Sequence, residues 1–153
     1  MAPRYMFGVI VGIVGLVINS CVAFAVGFCG PFTGLLFGAV AGFLAATREK
    51  LPEKGDNARA GATAGGIAGL FLMGGQVIGG LTALVFYQIS GTPLPFGNLD
   101  MSNMGTPELV GAYVGGLGTG ICFGLIGALF SAVAGAAAAF FAPTGDQAAL
   151  SGD

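Results

Sequence analysis

The chain has no histidine and no tryptophan, and only 8% of its residues are charged. A soluble domain carries roughly 25% charged residues, so this composition argues against a water-facing globular surface. Without histidine the commonest general base and metal ligand is missing. No Asp, Glu, Lys or Arg lies inside any of four long apolar runs, and Glu108 only borders the last. Proton-coupled carriers, ion pumps and voltage sensors usually depend on such an intramembrane charge. No nucleophile–base pair can be assembled, and no glycine-rich turn joins a strand to a helix as a nucleotide site requires. The chain therefore reads as non-enzymatic, with no cofactor and no metal. Five basic residues, a net charge of −2 and a single short basic loop give nucleic-acid binding no electrostatic support. The three cysteines, Cys21, Cys29 and Cys122, form no CxxC motif and read as small core-like residues, with a Cys29–Cys122 bridge as the alternative.

What is present is apolar and glycine-rich. Hydrophobic residues make up 55% of the chain, the mean hydropathy is +0.89, and 30 residues are glycine. These glycines sit among Val, Ile, Leu, Phe and Ala, as in membrane helices, where glycine lets backbones approach closely. The runs cover about 5–28, 32–47, 60–89 and 108–141. An apolar helix of about 20 residues crosses a bilayer core, so the expected fold is an all-α membrane protein with four transmembrane helices in one domain, residues 1–153. Gly30-Pro31 turns the first run into the second. A charged loop follows at 48–59, and Pro52 and Gly55 are expected to keep it non-helical. A second loop, 90–107, holds three prolines yet carries Leu94, Phe96, Leu99, Met101 and Met104, which predicts a fold back onto the protein. The last run exceeds one perpendicular span, so it either tilts or bends near Gly115-Gly116 or Gly118. A polar tail, 142–153, ends the chain.

All five basic residues fall on one side of this arrangement: Arg4 before the first run, and Arg48, Lys50, Lys54 and Arg59 in the 48–59 loop. By the positive-inside rule both termini and that loop are cytoplasmic, in what reads as a prokaryotic inner membrane. The competing reading is a cleaved signal peptide, since Arg4, an apolar stretch and Ala23-Phe24-Ala25 have that form.

Small residues recur every fourth position at Gly30, Gly34, Gly38, Gly42 and Ala46. They recur again at Gly61, Gly65 and Gly69, and at Gly116, Gly120, Gly124, Ala128, Ala132 and Ala136. Positions four apart share a helix face, so each ladder is a shallow groove suited to close helix packing. The ladders predict either packing within one bundle or a docking face for another subunit or a second copy; a lined pore is a third reading. Asn19 and Gln76 are the polar residues placed deepest in the spans. They predict either an interhelical amide clamp or a pair contacting a substrate. Thr33, Thr82, Thr119 and Ser131 are expected to bond carbonyls of their own helices.

Gly34–Ala46 matches Gly127–Ala139 at nine of thirteen positions, and Gly12–Leu16 echoes Gly66–Leu70 more weakly. This fits a duplicated helical hairpin in which spans one and three, and spans two and four, run the same way. Glycine ladders also occur in the ring subunits of rotary ATPases, and small four-span multidrug carriers have this size, but both need a buried acid that is absent here. Gly30-Pro31 leading into a Gly/Ala ladder, the charged loop, and Ala60-Gly-Ala-Thr-Ala-Gly-Gly-Ile-Ala-Gly69 together resemble uncharacterised glycine-rich four-span membrane proteins of bacteria and archaea. That resemblance covers residues 8–80. It implies a small polytopic membrane protein and transfers no functional residue. The expected function is a structural or accessory subunit that packs through glycine-rich faces, in contact with the bilayer and with other membrane subunits or itself. A small permease or channel for a neutral solute, with Asn19 and Gln76 lining the path, is the alternative.

Overall fold

The structure, a computed structural model, describes residues 2–26, 30–93 and 101–144. It contains four long helices: α1 Pro3–Val26, α2 Gly30–Glu49, α3 Lys54–Ser90 and α4 Thr106–Phe140. All four are long and apolar enough to cross a membrane, and no strand occurs among the described residues. The fold is the all-α, four-span architecture that composition and run length predict.

The helix ends follow local chemistry. Pro3 and Pro31 stand in first turns, where a missing N–H costs nothing. Glu108 accepts a hydrogen bond from the Gly105 N–H at 3.0 Å, which places a carboxylate at the positive end of α4. Gly91, at φ 64°, closes α3 in the left-handed region. Lys50 ends α2 in the same region at φ 46°, its N–H bonding the Ala46 carbonyl at 3.0 Å.

Three boundaries differ from expectation. Most of the charged 48–59 segment is helical, because α3 begins at Lys54 and runs through Gly55. Gly55 has nothing near it and is tolerated in the exposed first turn, while Asp56 there favours the helix dipole. Only residues 50–53 remain as the connection. Asn57 is therefore fully buried on α3 rather than exposed in a loop. The second span starts two residues earlier than expected, at Gly30. The last run is one continuous helix that runs through Gly115, Gly116 and Gly118. The return of the 90–107 loop onto the protein holds for the 3-10 turn Met101–Asn103, which packs on α3 with Met101 buried. Leu94, Phe96 and Leu99 lie outside the described residues, as does Cys29 and with it the Cys29–Cys122 pairing; Cys21 and Cys122 are free and exposed.

Helix α3 is the hub: it packs on α4, α1 and α2, while α2 also packs on α4 and α1. α1 runs parallel to α3, with Gly12 against Phe71, Gly75 against Leu16 and Gly79 against Ser20. α2 runs parallel to α4, with Gly34 against Gly127, Gly38 against Ser131 and Gly42 against Gly135. The apolar core is built from small residues, Ala41, Ala45, Ala64 and Ala68 with Val11, flanked by Phe37 and Leu44. Large side chains such as Ile13, Val17, Leu36, Leu70, Leu129 and Val133 point outward. A soluble bundle buries its large residues and a membrane bundle can leave them to lipid, so this inside-out distribution supports the membrane placement.

Candidate functional site

Two features hold the helices together, a glycine seam and an amide cluster. The seam forms where α2, α3 and α4 meet. A Cβ added to Gly34, Gly38 or Gly42 would strike the backbone of Gly127, Ser131 or Gly135. A Cβ on Gly61 or Gly65 would strike the carbonyl of Gly135 or Ser131, and one on Gly69 would lie 2.7 Å from the Cα of Ala128. Gly135 faces both neighbours at once, 2.5 Å from the Gly61 carbonyl oxygen and 3.0 Å from that of Gly38 for an added Cβ. Ser131 hydrogen-bonds the Gly65 carbonyl at 2.7 Å and is buried. It was expected to bond its own helix; here it crosses to α3 because the glycines bring that carbonyl within reach.

The expected ladder residues divide into two groups. Gly30, Gly34, Gly38, Gly42, Gly61, Gly65, Gly69 and Gly124 are buried in the chain's own helix contacts. Gly116 and Gly120 are not part of the seam: the first meets only the tip of Leu84, and the second lies 3.7 Å from Val77. In the lower half of α4 the buried face is Gly124, Gly127, Ser131, Gly135 and Ala139, while Ala128, Ala132 and Ala136 are half-buried beside it. Straight counting by four from Gly116 therefore leaves the buried face at Gly124, because 3.6 residues per turn make the contacting stripe step by three there. The stronger internal repeat is physical. Its two copies are offset by 93 residues, and so are the touching pairs Gly34–Gly127, Gly38–Ser131 and Gly42–Gly135. The weaker repeat has an offset of 54 residues, whereas α1 meets α3 at an offset of 59.

The amide cluster joins α1, α2 and α3. Asn19 donates to the Leu72 carbonyl at 2.8 Å and, more weakly, to Gln76 Oε1 at 3.4 Å. Thr33 donates to Asn19 Oδ1 at 2.8 Å as well as to the Gly30 carbonyl of its own helix at 3.0 Å. Asn19 and Gln76 are 1% and 3% exposed, so these bonds answer the cost of placing amides in an apolar interior. Thr33 bonds its own helix as expected and in addition joins the cluster, which its own-helix reading does not anticipate; its position fourteen residues beyond Asn19 is the usable signal. Thr82 bonds the Ile78 carbonyl of its own helix, as expected.

At the other end of the bundle, Glu49 accepts the Arg4 backbone N–H at 2.8 Å and pairs with Arg4 Nε at 3.2 Å. With only 6% of its side chain exposed, Glu49 ties the start of α1 to the end of α2. Arg4, Arg48, Lys50, Lys54 and Arg59 all stand at this one end. No group of metal-binding side chains forms among the described residues. No family model, curated protein or solved structure matches the chain.

Proposed function

We propose that this is a non-enzymatic integral membrane protein that serves as a structural or accessory subunit, and that it meets its partner through the outer half of α4. The observation that carries this reading is the unequal length of the two hairpins. Gly30, the start of α2, lies beside Phe123 of α4 and Gln76 of α3. Residues 106–122 of α4 and 77–90 of α3 therefore run past it, by about 20–25 Å at 1.5 Å per residue. Along that stretch the described partners of α4 are all on α3: Leu84, Val77 and Gln88, the last bonded to Tyr113 at 2.6 Å. The opposite face carries Gly111, Gly115 and Gly118, near which no other described residue stands, beside exposed Val110, Val114, Leu117 and Ile121. An apolar segment longer than the bilayer is accommodated by tilt, local thickening or association, and an open face of small residues favours association.

The chain's own helices occupy the ladders of α2 and α3, which favours internal packing over docking at those faces. The permease alternative draws its support from the Asn19–Thr33–Gln76 cluster; the hydrogen bonds within it favour the clamp. The proposed membrane is the prokaryotic inner membrane, with both termini and the basic end cytoplasmic, on the strength of the basic residues alone. A native pull-down in mild detergent tests the reading. Recovery of a stoichiometric partner that is lost in Gly115→Leu supports it. A lone monomer from wild-type membranes contradicts it.

A further inference from the structure

At the basic end, α2 and α4 border an open apolar groove. Ala39 and Ala138 belong to it together with Val40, Phe43, Leu44 and Phe141, and this shallow, open depression has a volume of about 460 Å³. All six lining side chains are hydrocarbon, and Phe141 is 82% exposed. The groove stops one turn short of charge. Arg48 follows Leu44 by four residues, so it stands on the Leu44 side of α2, away from Ala39 and Phe43, about 6 Å nearer the helix end. It is exposed, in the last turn of α2. Lys50 is exposed just beyond it, and the Lys54 ammonium sits 5.6 Å from the centre of the Phe140 ring, which contacts the ring of Phe141.

The acids at this end are largely committed. Glu49 pairs with Arg4, and Asp56 lies 3.8 Å from Arg59. Glu53, exposed beside Lys54, is the one other acid among the described residues there. Arg48, Lys50 and Lys54 have no ion pair among the described residues. A hydrocarbon slot that ends under unpaired cations at the head-group level matches one molecular shape.

We propose that this groove is a binding site for an anionic phospholipid, one acyl chain lying between α2 and α4 and the phosphate held by Arg48 with Lys50 and Lys54. The site rests on the membrane placement of the bundle and is independent of the accessory role. The test uses the full chain, purified in mild detergent and titrated with phosphatidylglycerol or with phosphatidylcholine, with retained lipid counted by native mass spectrometry. The wild type should retain one phosphatidylglycerol in preference to phosphatidylcholine. Arg48→Gln, a change at an exposed side chain, should lower phosphatidylglycerol retention about fivefold, the effect of one cation near an anionic surface, and leave phosphatidylcholine unchanged. Ala138→Leu, which fills the groove, should lower retention of both. Equal retention of the two lipids with no response to Arg48→Gln would overturn the proposal and leave only bulk lipid at the groove. Lipid retention that appears only after residues 145–153 are removed would assign the groove to the chain's own tail and overturn it. A dimer that Ala138→Leu dissociates would assign the groove to a second copy, with the same consequence.

Discussion

The two halves of α4 carry glycines with similar spacing and use them in opposite ways. Near the basic end, Gly127 and Gly135 lie against the backbones of α2 and α3, and Ser131 bonds across the gap. Near Thr106, Gly111, Gly115 and Gly118 meet no other described residue. What separates the halves is whether a second helix reaches that level: α2 starts at Gly30, beside Phe123, and before it α3 alone of the described helices lines α4. Spacing therefore marks where a backbone can come close, and the length of the neighbour decides whether one does.

The largest way to break this contrast is Gly38→Leu. Its side chain would have to occupy the position of the Ser131 backbone. Overpacking typically costs 1–3 kcal/mol, and backbone cannot yield as a side chain does, so a loss of about 3 kcal/mol or more is expected. Thermal unfolding in detergent measures it, and a stable, native-like variant would refute the seam. Next comes Asn19→Leu, which removes bonds to Leu72, Thr33 and Gln76. Membrane hydrogen bonds are worth about 0.6–2 kcal/mol, so a loss of ~1–2 kcal/mol is expected. In double-mutant cycles the Asn19–Thr33 coupling should exceed the Asn19–Gln76 coupling, since the contacts are 2.8 Å and 3.4 Å. The reverse order would show that the amide pair, not the amide–hydroxyl pair, organises the cluster.

Ser131→Ala removes one bond, to the Gly65 carbonyl, and should cost ~1 kcal/mol in the same unfolding assay. Asn57→Ala should be smaller still. Its buried amide has no hydrogen-bond partner among the described residues, so the variant loses no such bond and sheds a desolvated polar group. Unfolding at or above the wild-type temperature is expected, and a clear drop would reveal a bond the amide makes in solution.

Much of the fold was legible because the bilayer simplifies the problem. Four uncharged runs of sufficient length, punctuated by Gly30-Pro31 and two polar loops, leave little freedom. Charge misled at one point: the 48–59 segment reads as a loop, yet Asp56 at the helix start and burial of Asn57 and Ala60 extend α3 back to Lys54. The amide pair was legible because Asn19 and Gln76 are rare polar groups in apolar helices. Thr33 and Ser131 were not, because a hydroxyl satisfies its own helix equally well until a neighbour's carbonyl comes near. The role of the glycines divided along the same line. Their spacing is visible in one dimension, whereas the level at which α2 stops relative to α4 is a three-dimensional fact. The Arg4–Glu49 tie was hidden for the same reason, since it joins residues 45 apart.

The most direct measurement is the native mass of the wild type and of Gly115→Leu, extracted in mild detergent, with thermal unfolding recorded on both. An added Cβ at Gly115 has nothing within 4 Å among the described residues. The account predicts that the variant unfolds within about 0.5 kcal/mol of wild type, as surface substitutions do, but loses the partner that the wild type brings with it. An assembly that persists in Gly115→Leu, or a variant that unfolds as readily as Gly38→Leu, would contradict it.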